Sequence, residues 1–335
     1  MLFSLAVLVL SGLAVWGRQE KKPERAKAVV FVLTRNCDLV PMVQTMRNFE
    51  KRFNSRYRYP YLFLNDEEFT EEFKKTIRGE TAALVEFGTV PEAEWSVPEW
   101  VDKKKLDESF KRKKKEGVMF GDKMSYHHMC RFNAGFFFNH PLIMKYDYYW
   151  RIEPDVQFHC DLQYDPFLYM KKNNKEYGFN IMLTEFESTI PTLWKETVSF
   201  MDKNPGHAPF KDKTLKLFMD GSKYNLCHFW SNFEIASLHL WRSEAYMAYF
   251  NHLDKAGGMF YERWGDAPIH TLAVGFMLPK ARIHFFKDIA YTHSPYTNCS
   301  EDPVHQINTH CNPEHSVKMN SCLQTFLAAT GVDVY

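Results

Sequence analysis

Short apolar runs alternate with amphipathic stretches along this chain. Residues 28–34 form a continuous apolar run of the buried-strand type, and residues 59–64 form a second one. Between them, residues 38–53 have the apolar spacing of an amphipathic helix. Strands that alternate with helices form sheets with parallel pairs, and such sheets bind ligands beyond the carboxyl ends of their strands. The pattern therefore predicts an α/β fold with a site near residues 35–36 and 65–66.

The remainder of the chain continues the alternation. The lysine-rich residues 103–115 predict a helix with a solvated charged face rather than a phosphate site. The later predicted elements are a strand over 177–183, helices from residue 190 and from Ser243, and a helix within 261–278. Residues 204–222 contain Pro205, Gly206, Pro209 and Gly221, which favour a mobile loop near a cleft.

The N-terminal segment indicates targeting. Residues 2–16 are almost wholly apolar, and basic residues follow them within 18–27. A run of about 15 residues is shorter than the roughly 20 of a membrane span and suits a signal-peptide core. An uncleaved signal anchor is equally consistent, and a buried strand is the less favoured alternative. We expect residues 1–17 to be this targeting segment, 18–27 to be a short stem, and 28–335 to be one lumenal catalytic domain.

Composition and cysteines fit a secreted or lumenal protein. A net charge of +1 gives no broad attraction for nucleic acid. Three of the seven cysteines, Cys299, Cys311 and Cys322, lie in an irregular C-terminal tail that disulfides would stabilise. Sequence does not give the pairing, and an odd count leaves at least one thiol unpaired within the monomer. Residues 298–300 (Asn-Cys-Ser) form a glycosylation sequon, usable only in the secretory pathway.

An acidic turn at residues 153–155 provides the main chemical clue. The aromatic and β-branched residues 148–152 predict a strand, which Pro154 should end because proline cannot donate to a ladder. Glu153 and Asp155 then flank the proline at the end of a rigid element. Hard divalent cations prefer such oxygen ligands and keep open positions for phosphates. An ordinary acidic turn is the alternative interpretation.

Other polar residues at element ends could complete a site. They are Tyr126, Arg131, Glu234, Glu262, Asp266 and His293. A metal held by carboxylate and imidazole, with one further carboxylate, would serve chemistry on a diphosphate. Arginine offers a planar fork for phosphate oxygens, so we interpret Arg131 and Arg151 as contacts to the donor phosphates.

Five blocks of sequence, in the same order, resemble the fungal Golgi α-1,2-mannosyltransferases of glycosyltransferase family 15. The blocks are residues 125–132, 148–155, 189–194, 227–234 and 257–268. The similarity extends from about Ala28 to Cys322. Two departures are a shortened membrane anchor without a basic cytoplasmic tail, and Cys37 in place of the family's small residue.

The resemblance implies a GT-A-type fold with a mixed central sheet, flanked by helices, in a single catalytic domain. It also implies Mn²⁺, a GDP-mannose donor, and retaining transfer of mannose in α-1,2 linkage to mannose on N- or O-linked glycans of a glycoprotein acceptor. The implied location is the Golgi membrane, single-pass type II through the N-terminal segment, with a secreted form as the alternative.

The family's functional positions map onto this sequence. The metal ligands match Glu153 and His293, and Asp155 is expected to act on the metal indirectly, through a ligand or a bound water. The proposed nucleophile matches Glu234, and Tyr126 and Asp266 match donor-side and acceptor-side residues. Either Glu234 forms a covalent mannosyl intermediate, or the acceptor attacks on the face from which GDP departs while Glu234 stabilises charge. A glycoside hydrolase, a lectin and an inactive family member are the rival classes.

Overall fold

The computed structural model describes residues 24–299, 309, 311–312, 314, 316–317 and 321–330. The predicted targeting segment and most of the predicted stem lie outside these residues. Across the described residues, every helix is too short or too polar to cross a membrane.

The described residues contain fourteen strands: β1 (Ala28–Leu33), β2 (Tyr61–Asn65), β3 (Val85–Thr89), β4 (Tyr148–Arg151), β5 (Val156–Phe158), β6 (Tyr177–Phe179), β7 (Met182–Thr184), β8 (Met219–Asp220), β9 (Lys223–Tyr224), β10 (Cys227–Phe229), β11 (Glu234–Ser237), β12 (Ile283–Phe285), β13 (Tyr291–His293) and β14 (Tyr296–Asn298). Seven of them form one mixed sheet at the centre of the domain, in the order β12-β6-β11-β4-β1-β2-β3. Strands β4, β1, β2 and β3 are parallel, whereas β11 runs antiparallel to both β4 and β6.

Helices pack on both faces of this sheet. They are α1 (Leu39–Phe49), α2 (Ser55–Tyr57), α3 (Glu71–Gly79), α4 (Lys103–Lys115), α5 (Met124–Gly135), α6 (Pro166–Lys172), α7 (Leu193–Lys203), α8 (Leu238–Trp241), α9 (Glu244–Ala256), α10 (Gly258–Tyr261), α11 (Asp266–Met277) and α12 (Leu323–Thr330). Alternate residues of a strand point to opposite faces, so β1 places Val29 and Phe31 in one core and Val30 and Val32 in the other. The first core contains the apolar faces of α5, α7, α9 and α11, and the second those of α1, α3 and α6.

Three elements predicted from the sequence differ from those in the structure. The helix predicted over 38–53 begins with α1 but continues as a π-helical stretch, Glu50–Asn54, before α2. The strand predicted over 177–183 is two strands, β6 and β7, which join different sheets. The segment 204–222, predicted as a mobile loop, contains two short 3-10 helices, Pro205–His207 and Thr214–Phe218, and is anchored by the buried Leu215 and Phe218.

Two disulfides tie down the C-terminal region. Cys227 in β10 pairs with Cys322, and Cys299 pairs with Cys311. Cys37, Cys130 and Cys160 are free thiols, of which Cys37 is exposed. The first disulfide joins the tail directly to the main domain, and the last described residues of the tail form α12.

Candidate active site

The predicted acidic turn lies at the carboxyl end of β4. The strand ends at Arg151, and Pro154 separates the half-buried Glu153 from the exposed Asp155. Asp155 adopts a left-handed backbone with φ of 64°. This conformation is uncommon for a residue other than glycine and tends to occur at functional sites. The turn leads into β5, and Glu153 contacts Arg151 and His293 while Asp155 is exposed.

Glu153 and His293 approach each other as the resemblance implied. Strand β5 pairs antiparallel with β13, and this register sets His293 opposite Val156, just after the turn. The Oε2 atom of Glu153 lies 3.4 Å from Nε2 of His293. Burial by itself would raise the pKa of the Glu153 carboxyl, but the neighbouring Arg151 and His293 outweigh burial and lower this pKa to about 2. Glu153 is therefore ionised throughout the physiological range.

Arg151 connects two carboxylates of the site. Its Nε and Nη2 atoms donate to Oε1 of Glu153 at 2.9 and 2.5 Å, and its Nη1 donates to Oδ2 of Asp266 at 2.6 Å. Ser231 donates to the same Asp266 oxygen at 2.7 Å. Three of the guanidinium nitrogens thus bind protein carboxylates, so in this arrangement Arg151 orients the site rather than offering a free fork to phosphate.

Glu234 lies opposite Arg151 in the β4–β11 ladder and is completely buried. Tyr149 donates to its Oε1 atom, and Tyr177 donates to Oε2 at 2.8 Å. His270 lies with Nδ1 3.0 Å from Oε2. Burial, reinforced by the carboxylate, raises the pKa of both tyrosines well above the ordinary value, so both remain donors. Both carboxyl oxygens of Glu234 are therefore fixed by buried neighbours.

Helix α11 supplies the third side of this cluster. Asp266 is its first residue and His270 lies four residues later, so both side chains project from the same face of the helix. Asp266 binds Arg151 and His270 binds Glu234. In the tautomer with a proton on Nδ1, His270 donates to Oε2 of Glu234. One face of α11 therefore supplies a hydrogen-bond partner to both Arg151 and Glu234 of the sheet.

Tyr126 lies in a separate polar group near the cleft. Its hydroxyl accepts a hydrogen bond from Nη1 of Arg263 at 3.0 Å, and its ring stacks on Phe120 at 4.9 Å. The Nη2 atom of Arg263 donates to Glu185, also at 3.0 Å. The Nε atom of Arg263 is buried and has no hydrogen-bond partner among the described residues. The two terminal nitrogens of Arg263 thus join Tyr126 to Glu185.

Arg131 lies outside these clusters in the contacts that the structure shows. Its Nε and Nη2 atoms donate to the two carboxylate oxygens of Asp254 at 2.7 and 2.9 Å, and both residues are buried between α5 and α9. The ring of Phe136 covers the guanidinium at 4.7 Å. A buried bidentate pair of this kind joins two helices, so we do not retain Arg131 as a phosphate contact.

Sequence analysis missed several residues of the site. Tyr149 and Tyr177 were interpreted only as strand residues, and His270 and Arg263 received no role. Their one available signal was position, because Tyr149 precedes Arg151 by two residues and so shares its face of the strand. Assigning Tyr177 and His270 required the strand order and the helix packing, which the sequence does not state.

The donor set fits one divalent cation with a diphosphate. Within the described residues, no group of three or more His, Cys, Asp or Glu side chains could hold a metal alone. Glu153 and His293 converge with one oxygen and one nitrogen, and Nδ1 of His293 is buried without a hydrogen-bond partner in the described residues. Two protein ligands plus substrate phosphates is a usual arrangement for hard cations at phosphate sites.

Comparisons with family models and with known proteins identify relatives of this chain. Residues 14–331 match the family model described as glycolipid 2-alpha-mannosyltransferase. The chain is 46% identical over 321 residues to glycolipid 2-alpha-mannosyltransferase 2 of Candida albicans, covering 93% of this chain and 68% of that protein. It is 45% identical over 331 residues to the O-glycoside alpha-1,2-mannosyltransferase omh1 of Schizosaccharomyces pombe, covering 97% and 85%.

Solved structures of mannosyltransferases superpose closely on this fold. Core-mannan synthase A (CmsA/Ktr4) from Aspergillus fumigatus, in its Mn/GDP form, superposes with a TM-score of 0.87 at 40% identity, covering 92% of this chain and 86% of that one. The mannosyltransferase Ktr4p from S. cerevisiae in complex with GDP gives 0.88 at 38% identity, covering 92% and 83%. The predicted α/β fold class is confirmed. The chain belongs to the glycolipid 2-alpha-mannosyltransferase family, glycosyltransferase family 15, as its sequence blocks predicted.

Proposed function

We propose that this protein is a retaining α-1,2-mannosyltransferase that moves mannose from GDP-mannose to a mannose hydroxyl of a glycan. Family membership supports the reaction class. One observation carries the assignment of the site: the Glu153–His293 pair and the Arg151–Glu234 ladder pair lie at the same end of the sheet, joined by the Arg151–Glu153 ion pair. A metal-binding pair and a buried anion are thereby adjacent, as donor cleavage at a diphosphate requires.

Glu153 and His293 would hold Mn²⁺ in this proposal. The cation would neutralise the negative charge that develops on the departing GDP. Arg151 fixes the Glu153 carboxylate from the protein side through two hydrogen bonds and leaves Oε2 directed at His293. Asp155, exposed on the far side of Pro154, would contribute through water.

The burial of Glu234 supports the same-face mechanism over the covalent one. A nucleophile needs a free oxygen that can approach the anomeric carbon, whereas both Glu234 oxygens already accept hydrogen bonds and the side chain is 1% exposed. A fixed anion behind the reacting centre stabilises positive charge on the sugar without moving. We therefore assign Glu234 as an electrostatic stabiliser, with Tyr149, Tyr177 and His270 as its positioning residues.

The proposal extends to acceptor and location. Asp266, held by Arg151 and Ser231, would lie toward the acceptor, and Tyr126 with Arg263 would lie toward the donor. The acceptor would be a mannosylated glycoprotein, with N-linked and O-linked chains both compatible with the site. The protein would act in the Golgi lumen, anchored through residues 1–17.

A transfer assay tests the function. Purified protein is incubated with Mn²⁺, GDP-mannose and methyl α-mannoside, and we expect an α-1,2-linked disaccharide whose formation stops with EDTA. Release of free mannose alone would indicate a hydrolase, and GDP binding without turnover would indicate an inactive relative.

Two variants test the residue roles. Glu153→Ala should weaken GDP binding in the presence of Mn²⁺, and unchanged metal-dependent activity would contradict the metal assignment. Glu234→Ala should reduce turnover strongly, and near wild-type turnover would contradict both mechanisms. If added azide restores that variant's turnover by forming a mannosyl azide of inverted configuration, the covalent mechanism gains support over ours.

A further inference from the structure

A polar groove that includes Glu262, four residues before Asp266 in the chain, has no role in the chemistry described above. It has a volume of about 350 Å³ and is bounded by α4, by the start of α7 and by the end of α10. This volume falls at the small end of the roughly 300–1,000 Å³ typical of ligand pockets. Its charged lining residues are Lys105, Glu108, Arg112, Lys195, Glu196 and Glu262.

The wall of the groove is continuous with the reaction centre. Glu262 faces the groove, whereas the next residue, Arg263, reaches Tyr126 and Glu185, and Asp266 reaches Arg151. The Glu262 carboxylate is fixed by hydrogen bonds from Trp264 Nε1 at 2.5 Å and from the Thr192 hydroxyl at 2.7 Å. One short segment thus presents side chains to the groove on one side and to the centre on the other.

The walls are held rigidly, so the groove is a formed feature. Ser109 in α4 donates to the carbonyl of Tyr261, and Lys113 donates to the carbonyls of Phe260 at 3.1 Å and Glu262 at 2.6 Å. Both α4 residues are buried. These bonds fix α4 against the segment that carries Glu262, so a ligand would meet pre-positioned groups.

The charges of the lining favour a neutral ligand rich in hydroxyl groups. Three cations and three carboxylates face the same small space, and within the described residues no ion pair joins any of these cations to a carboxylate. An anion would meet the carboxylates, and a cation would meet the lysines and Arg112. A hydroxyl group both donates and accepts, so a sugar residue can use both kinds of partner at once.

We propose that this groove is an outer acceptor subsite that binds the neutral hexose residue preceding the mannose to be extended. The inference rests on the proposed mannosyltransferase function and adds that the acceptor is an oligosaccharide, bound through at least two residues. Arg112 and Lys195 donate to its hydroxyls, and Glu108 and Glu196 accept from them.

Acceptor-length kinetics test the subsite. The full chain is assayed at saturating GDP-mannose and Mn²⁺ with methyl α-mannoside and with an α-linked mannotriose. Arg112→Ala and Lys195→Ala remove exposed groove donors, and Lys111→Ala is the matched control, an exposed α4 lysine outside the groove. We expect kcat/KM for mannotriose to fall about tenfold in the two groove variants, the loss typical of a hydrogen bond to a charged group. The kcat/KM for methyl α-mannoside should stay within about twofold in all three variants.

The possible outcomes separate the two proposals. An unchanged ratio of the two kcat/KM values in both groove variants would overturn the subsite while leaving the transferase intact. A wild-type protein that transfers mannose to neither acceptor would contradict the proposed function. In that case saturation-transfer NMR with mannotriose tests the subsite without turnover. Mannotriose binding that is lost in Arg112→Ala supports the subsite, whereas no binding, or binding that Arg112→Ala leaves unchanged, overturns the subsite.

Discussion

Arg151 and Glu234 are directly opposite each other in the antiparallel pairing of β4 with β11. Residues opposite in a ladder share one face of the sheet, so a buried cation and a buried anion lie side by side. Helix α11 adds Asp266 next to the cation and His270 next to the anion. Arg151 and Glu234 each have their own partner on the helix. We therefore expect single substitutions in this cluster to lower the transfer rate, by a different route for each residue.

Arg151→Lys should lower kcat/KM at least a hundredfold. A lysine keeps the charge but cannot donate in a fixed fork to both Glu153 and Asp266, so the two carboxylates lose their relative placement. The measurement is steady-state transfer, combined with circular dichroism to confirm folding. A folded Arg151→Lys protein with near wild-type kcat/KM would show that the bridge is not needed.

Arg131→Met should instead act on stability. Removing one partner leaves Asp254 buried and unpaired, at a cost of about 3–5 kcal/mol in the free energy of unfolding. The double variant Arg131→Met/Asp254→Leu should recover much of that loss, because an apolar pair of similar volume replaces the ions. Urea unfolding measures the free energy of unfolding of the single and the double variant. The KM for GDP-mannose should be unchanged in the double variant. A large rise in that KM would restore Arg131 as the phosphate contact that the sequence predicted.

His270→Phe should lower kcat while leaving the KM for GDP-mannose within about twofold. The phenylalanine ring can keep the stacking on Trp241, which lies 4.1 Å from the His270 ring, but it cannot donate to Glu234. Losing one donor to a buried carboxylate costs about 1.5–3 kcal/mol, or roughly ten- to a hundredfold. His270→Asn retains an N–H group and should recover part of the rate. Equal losses in kcat for both variants would indicate that packing, and not the hydrogen bond, matters.

Local patterns predicted the elements around the site well. The termination of β4 by Pro154 followed from proline's missing N–H, and the lysine-rich stretch is a helix over the predicted residues, Lys103–Lys115. The proximity of Glu153 and His293 came only from the family resemblance, since 140 residues separate them and their approach depends on β5 pairing with β13.

The sequence did not predict which residues the buried polar side chains contact. Arg131 and Arg151 were assigned the same role from their chemistry, yet one binds a helix carboxylate and the other bridges the site. The difference arises from tertiary packing, which places Asp254 beside the first and Asp266 beside the second. Tyr177 contacts Glu234 only because β11 lies between β4 and β6, an order set by the whole sheet.

The pairing of the cysteines also could not be predicted from the sequence, and the two disulfides close loops of very different length. Cys227–Cys322 closes a loop of 95 residues, whereas Cys299–Cys311 closes one of 12. The loop-entropy model gives stabilities of about 5 and about 3 kcal/mol for loops of these lengths. Cys227→Ser/Cys322→Ser should therefore reduce the free energy of unfolding more than Cys299→Ser/Cys311→Ser. Unfolding in urea without reductant measures the two losses, and peptide mapping without reductant verifies the pairs.

The longer disulfide should also affect the site at elevated temperature. It holds β10, and the backbone N–H of Phe229 in that strand donates to the Thr271 hydroxyl of α11 at 2.9 Å. Thr271 follows His270, so loosening β10 removes one contact that fixes the helix bearing Asp266 and His270. We expect the Cys227→Ser/Cys322→Ser protein to transfer mannose normally at low temperature and to lose activity several degrees below the wild type. Equal inactivation temperatures for the two proteins would show that packing alone, without the disulfide, holds α11 in place.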